Sequence, residues 1–333
     1  MRRASLDTTV QLTLAANDYA AELAEKVREG DLRSLARAAS LIENQVPAGR
    51  ELTRLLFPYT GRALTIGITG PPGVGKSTLV NQLIRLTRVE QRKVGILAVD
   101  PSSPFSSGAV LGDRIRMQEH HADHGVFIRS IATRGRLGGV AASTLELALL
   151  LDASGRDLVL IETVGVGQDE VEISRLADVT VVVLAPGFGD DVQAIKAGIM
   201  EVADVFAVNK ADLPGADRLE QEIRAMQSFA DTHLSNRTAP VCRVVATDGT
   251  GVRELWDAIE KVFAVKGRLK GRASTWEVRL CELLRDRLLA TLDPGALRRH
   301  AEAVAEKRED PFQAINEMMD GLLLSSTQRR ERP

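Results

Sequence analysis

The spacing of apolar positions changes twice along this chain and divides it into three parts. From about Leu14 to Phe57, Leu23, Val27, Leu32, Leu35, Ala39 and Ile42 recur at intervals that place them on one helical face. Gly30-Asp31 predicts a break into two helices, and Pro47 and Pro58 predict the end of the section. From Arg62 to about Ala264, strand-like and helix-like runs alternate, the pattern of a mostly parallel sheet covered on both faces. Strands are expected at Leu64–Thr69, Val94–Val99, Val126–Ile131, Leu158–Ile161, Val179–Leu184, Val205–Val208 and Val241–Val245. Helices are expected near Ser77–Thr87, Asp113–His120, Val140–Leu151, Asp190–Met200, Asp217–Phe229 and Val252–Val262. After Gly267-Arg-Leu-Lys-Gly271 the strands stop. Trp276–Leu292, Gly295–Glu309 and Phe312–Leu324 read as helices, and Leu280, Leu283, Leu284 and Leu288 form an apolar stripe on the first of them. The three parts are an N-terminal helical extension (1–61), an α/β domain (62–265) and a helical tail (266–333), which could cap the domain or pair with a second copy.

The first strand runs directly into Gly70-Pro71-Pro72-Gly73-Val74-Gly75-Lys76-Ser77-Thr78, which satisfies every fixed position of G-x-x-x-x-G-K-[ST]. Glycines here let backbone N–H groups curl around phosphate oxygens, and a helix N-terminus adds a favourable field. Lys76 is placed to reach the β- and γ-phosphates and Ser77 to ligate Mg²⁺. With a strand before it and a helix after it, the motif predicts a P-loop nucleoside triphosphatase.

The base is selected far downstream. Asn209-Lys210-Ala211-Asp212 sits at the end of the Val205–Val208 strand and matches N-K-x-D. A carboxylate at Asp212 can accept from both N1–H and the 2-amino group of guanine, whereas adenine would leave it unpaired. GTP and GDP are therefore the expected ligands. Val245-Ala246-Thr247 falls where a second guanine-contacting loop belongs; its usual Ser-Ala is Val-Ala here, so only backbone contacts are expected from Val245.

Three further loops belong at strand ends. Asp100-Pro-Ser-Ser-Pro ends the second strand, and a carboxylate there is a candidate water-mediated Mg²⁺ ligand. Asp113 is either a ligand of the same ion or a helix cap. The fourth strand ends in Glu162-Thr-Val-Gly165-Val-Gly-Gln168. Most GTPases place D-x-x-G here, so Glu162 keeps the register of the Mg²⁺ carboxylate with a longer arm. Gly165 keeps that of the γ-phosphate sensor, and Gln168 could orient attacking water. Ala185-Pro-Gly-Phe-Gly-Asp-Asp191, with Lys196 beyond it, reads either as a third nucleotide-responsive loop or as a plain connection.

Composition narrows the function classes. A chain of 333 residues with net charge −2 points to neither nucleic acid nor an acidic membrane surface. Cys242 and Cys281 lie far apart and outside any C-x-x-C, so neither a disulfide framework nor a zinc site is expected. No apolar run approaches membrane-spanning length, and the start has no signal-peptide core, so the chain reads as soluble and cytoplasmic. His120-His121-Ala-Asp-His124 invites a metal reading, but only His120 and His124 share a helical face, too few for a zinc site. A solvated helix end is the expectation there.

Gly70–Thr78, Asp100-Pro-Ser-Ser, Glu162-Thr-Val-Gly-Val-Gly-Gln168 and Asn209-Lys-Ala-Asp212 together resemble the MeaB/ArgK/MMAA family over essentially the whole chain. The resemblance implies a homodimeric GTPase that escorts and protects adenosylcobalamin-dependent methylmalonyl-CoA mutase, gating cofactor loading and helping to release inactivated cofactor. It also implies that Ser77, Asp100, Asp113 and Glu162 serve Mg²⁺ and its water shell. Lys196 would lie in a third switch coupled to the mutase, and no tightly bound cobalamin is expected on this chain. Competing readings are a nickel-type metal-insertion GTPase, which would bring histidine-rich tails or paired cysteines, and a small-molecule kinase, which would need an acceptor site and a base.

Overall fold

The computed structural model describes residues 17–100, 118–120, 122–132, 139–163, 169–187, 199–230, 238–267 and 269–330. The chain divides into two compact units, the first reaching to Arg272 and the second beginning at Ala273.

The first unit opens with three helices where the periodicity predicted two: α1 (17–28), α2 (Leu32–Glu43) and α3 (Pro47–Leu56). Asp31 accepts from the Ser34 backbone N–H at 2.7 Å and so caps α2, which accounts for the break after Gly30. Pro47 starts α3 rather than ending the section. A proline at the first helical position loses only an N–H that has no intrahelical partner anyway. Most of the predicted stripe is buried: Leu23, Val27, Leu35, Ala39 and Ile42 are all within 5% of full burial, and Leu32 is half-buried.

The sheet comprises β1 (Leu64–Thr69), β2 (Val94–Asp100), β3 (Val126–Ala132), β4 (Leu158–Thr163), β5 (Val179–Leu184), β6 (Val205–Val208) and β7 (Val241–Arg243). All seven are parallel, in the order β3-β2-β4-β1-β5-β6-β7. β7 stops two residues short of its predicted end, and Val245 instead forms an isolated bridge to Thr250.

Among the described residues the helices between the strands are α4 (Lys76–Val89), α5 (Gly139–Ala153), α6 (Asp169–Leu176), α7 (Ile199–Val202), α8 (Ala216–Ala230) and α9 (Val252–Lys266). α6 was not expected. Of the Asp113–His120 prediction, only a 3₁₀ turn at Gln118–His120 falls among the described residues, and of Asp190–Met200 only its end does.

Alternation along β4 builds a core on each face. Leu158 and Leu160 pack with Leu79 and Leu83 of α4 and Leu255, Trp256 and Ile259 of α9. Val159 and Ile161 pack with α5 and with Leu35 and Leu52 of the N-terminal helices. Those helices therefore cover one sheet face instead of forming a separate core. The chain leaves β1 towards β2 and leaves β4 towards β5, on opposite sides, although β1 and β4 are neighbours. That reversal opens a crevice beyond their carboxyl ends.

The second unit holds most of α10 (Leu269–Thr291), with α11 (Pro294–Ala305) and α12 (Pro311–Arg330). Asp293 caps α11 by accepting from the Gly295 and Ala296 N–H groups at 3.1 Å. Leu280, Leu283, Leu284, Leu288 and Leu289 of α10 are 36–60% exposed. Among the described residues no helix is long and apolar enough to cross a membrane.

Candidate functional site

The glycine-rich turn leaves β1 at the crevice. Gly70, Gly73 and Gly75 have φ of 137°, 80° and 94°, all left-handed, so the turn depends on residues without a Cβ. A Cβ on Gly70 would strike the Val183 carbonyl on β5, and one on Gly75 would strike the Asn209 carboxamide. The second clash is informative, because it shows the phosphate turn and the base-selecting motif packed against each other.

α4 starts at Lys76 with Gly75 as its N-cap and no side chain capping it, so its first N–H groups remain available to an anion. Val74 and Pro71 are buried, while Pro72, Gly73 and Thr78 are exposed. The Lys76 side chain is 6% exposed and folds back along the turn, donating to the carbonyls of Gly70 at 2.7 Å and Pro71 at 2.9 Å.

Ser77 and Glu162, 85 residues apart, meet at the mouth of the crevice. The Ser77 hydroxyl donates to Glu162 Oε1 at 2.6 Å, and both residues are more than nine-tenths buried. The register places Glu162 opposite Ile68 of β1 on one side and Ala98 of β2 on the other. Two hard oxygen donors side by side suit Mg²⁺, which binds through oxygen ligands and keeps several waters. Asp100 is the last residue of β2, at the same edge of the sheet, and its side chain lies outside the described set. Asp113, Gly165, Gln168 and Lys196 also lie outside it.

The Asn209–Asp212 segment is tied to both neighbouring loops. Asn209, 2% exposed, donates from Nδ2 to the Val74 carbonyl at 2.7 Å and accepts at Oδ1 from the Ala246 N–H at 3.0 Å. Lys210 donates to the Gly73 carbonyl at 2.9 Å, and its backbone sits at φ 55°, an uncommon conformation for a residue with a side chain. Asp212 is exposed at the rim, where a base edge could approach it. Val245 and Thr247 flank Ala246 in the loop after β7, which the Asn209–Ala246 contact holds alongside N-K-x-D.

Three contributors escaped the sequence reading. Thr163 donates to Thr69 at 2.9 Å, joining the ends of β4 and β1 in full burial just where both loops depart. Gln82 on α4 donates to the Ala246 carbonyl at 3.0 Å and so ties the P-loop helix to the loop after β7. Asp152 accepts the backbone N–H groups of Gly61, Arg62 and Ala63 and fixes the approach to β1. The first pair ends two mostly apolar strands with a polar residue, a faint signal; the other two carry none. The histidine expectation needs correction: His120 is 8% exposed, in a 3₁₀ turn and not at a solvated helix end, while His124 is exposed.

A phosphate-cradling turn, a buried hydroxyl–carboxylate pair and an asparagine-anchored base motif thus converge on one crevice. A sequence profile described as "Methylmalonyl Co-A mutase-associated GTPase MeaB" matches residues 35–293. The chain belongs to the MeaB family. A Pyrococcus abyssi protein carrying a provisional GTPase name is 44% identical over 313 residues, covering 91% of this chain and 96% of the relative. The Escherichia coli GTPase ArgK is 38% identical over 262 residues, covering 75% and 78%. The crystal structure of an LAO/AO transport system kinase superposes with a TM-score of 0.67 at 28% identity, covering 91% of this chain and 97% of that one. This chain is a P-loop GTPase with an all-parallel seven-stranded sheet.

Proposed function

We propose that this MeaB-family GTPase is a Mg²⁺-dependent chaperone of adenosylcobalamin-dependent methylmalonyl-CoA mutase, acting in the cytoplasm as a homodimer. It would gate cofactor loading, protect the mutase from inactivation and help reactivate it, without binding cobalamin tightly itself. The family match over residues 35–293 carries this reading, because the family is described by its association with that mutase.

In this reading Gly70–Thr78 cradle the phosphates and Lys76 turns from the Gly70 and Pro71 carbonyls to the β- and γ-phosphate oxygens. Ser77 and Glu162, with Asp100 and Asp113, hold Mg²⁺ and its water shell. The ion supplies charge neutralisation on the transferred phosphoryl group when bound. Gly165 senses the γ-phosphate, Gln168 orients the attacking water, and Asn209, Lys210 and Asp212 with Val245–Thr247 hold guanine. Residues 187–196, ending at Lys196, transmit nucleotide state to the mutase, and the leucine face of α10 joins two copies.

The test is the working lifetime of methylmalonyl-CoA mutase during prolonged turnover. Addition of this protein with GTP should slow the loss of mutase activity, and Lys76→Ala should not. Equal decay with and without the wild-type protein would overturn the chaperone reading while leaving GTP hydrolysis untouched.

A further inference from the structure

The opposite end of the sheet from the nucleotide motifs holds a cavity of about 730 Å³, within the size range of small-molecule sites. It borders Leu64, the first residue of β1, whereas the P-loop departs after Thr69, the last. At about 3.3 Å per strand residue, roughly 17 Å of β1 separates the two.

Four arginines line this cavity: Arg28, Arg62, Arg92 and Arg156. Arg92 is neutralised by Glu260 at 2.8 Å and Glu90 at 3.1 Å. The other three make no ion pair with a carboxylate among the described residues. Arg28 lies over the Tyr59 ring at 3.6 Å. Arg62 spends only its backbone N–H, on Asp152. Arg156 is the telling one. It is 3% exposed, its Nη1 donates to the carbonyls of His124 and Gly125 at 3.4 and 3.2 Å, and its Nε has no hydrogen-bond partner. Burial and the nearby Arg88 guanidinium push its pKa down, against an opposing pull from Asp157 and Asp123.

The acidic residues of the same wall are already engaged. Both Asp152 oxygens receive backbone N–H groups, Asp157 accepts from the Lys93 N–H at 2.7 Å, and Glu260 is held by Arg92. Arg28, Arg62 and Arg156 line one space; the first two are exposed and Arg156 is buried, where a charge is ordinarily paired. Guanidinium forks match the several oxygens of a phosphate better than a single carboxylate does. Leu64, Ala153 and Phe263 add an apolar wall for the rest of a ligand.

We propose that this cavity is a second ligand site, separate from the nucleotide site, which takes a small phosphate-bearing metabolite through Arg28, Arg62 and Arg156.

Inorganic pyrophosphate serves as the probe, titrated calorimetrically into full-length protein saturated with GDP and excess Mg²⁺ so that the P-loop is filled. One saturable site per chain is expected, weakened roughly tenfold or more by Arg62→Ala and by Arg156→Gln. GDP affinity should stay unchanged in both variants. Arg62 is exposed, so its variant remains informative if the buried Arg156 change compromises folding. Absence of saturable binding, or binding that Arg62→Ala leaves intact, would overturn the proposal. Binding that tracks total salt with no defined stoichiometry would mark an adventitious ion only and would overturn it as well.

Discussion

The hydroxyl of Ser77 donates to the carboxylate of Glu162 at 2.6 Å, across 85 residues of sequence and inside the crevice between β1 and β4. Two strands and a helix have to be in register for that contact, so it reports on the assembly of the site as a whole. Glu162→Gln keeps the shape and can keep a hydrogen bond to Ser77, but it removes the charge. The variant should fold normally and need about 10–100-fold more Mg²⁺ for half-maximal GTP hydrolysis, in line with outer-shell effects elsewhere. Hydrolysis rates over a Mg²⁺ titration check this.

Asn209 joins the phosphate turn to the guanine loop through Val74 and Ala246. Asn209→Ala strands a buried carbonyl and a buried N–H, each costing about 1–3 kcal/mol. A loss of about 2–6 kcal/mol is expected in denaturant unfolding, together with weakened nucleotide binding. Unchanged stability would show that water replaces both contacts at no cost.

Asp212 is exposed, so its substitution should leave the fold undisturbed. Asp212→Asn exchanges the acceptor for a partial donor, so GTP affinity should fall by roughly 10²-fold and xanthosine triphosphate should become the better ligand. Thermal stability without nucleotide should stay the same. Competition binding with the two triphosphates reads the switch directly.

The leucine face of α10 tests the proposed homodimer. Leu280 and Leu284 are each 60% exposed, one helical turn apart, so charges there should not disturb folding of the chain itself. Leu280→Glu with Leu284→Glu should turn the dimer into a monomer by light scattering. A dimer that persists at unchanged affinity would exclude that face.

Much of this architecture was legible in the sequence because its signals are local. A buried parallel strand is a short apolar run, and β1, β5 and β6 begin and end where those runs do. The P-loop and N-K-x-D are contiguous motifs, and each sits at the strand end where it was expected. Pro47 misled because a proline can start a helix as readily as stop one. α6, Asp-Glu-Val-Glu-Ile-Ser-Arg-Leu, escaped because eight mostly polar residues give the helical period too few apolar positions to register. Thr69 with Thr163, Gln82 with Ala246, and Asp152 with the approach to β1 escaped for a different reason. Each contact joins residues roughly 90 or more apart, and nothing in either local stretch names its partner. The burial of His120 follows from tertiary packing and had no counterpart in the spacing of the histidines.

Coupling between GTP hydrolysis and the mutase is the central claim, and single-turnover hydrolysis measured with and without saturating methylmalonyl-CoA mutase tests it most directly. Unaided turnover should be slow, because Gln168 is the one water-orienting candidate and no motif places an arginine finger; completing such a site is worth about 10³–10⁵ in rate elsewhere. The mutase should accelerate hydrolysis at least several-fold, and Lys196→Ala should keep the unaided rate while losing the acceleration. A rate that the mutase leaves unchanged at saturation would contradict the coupling.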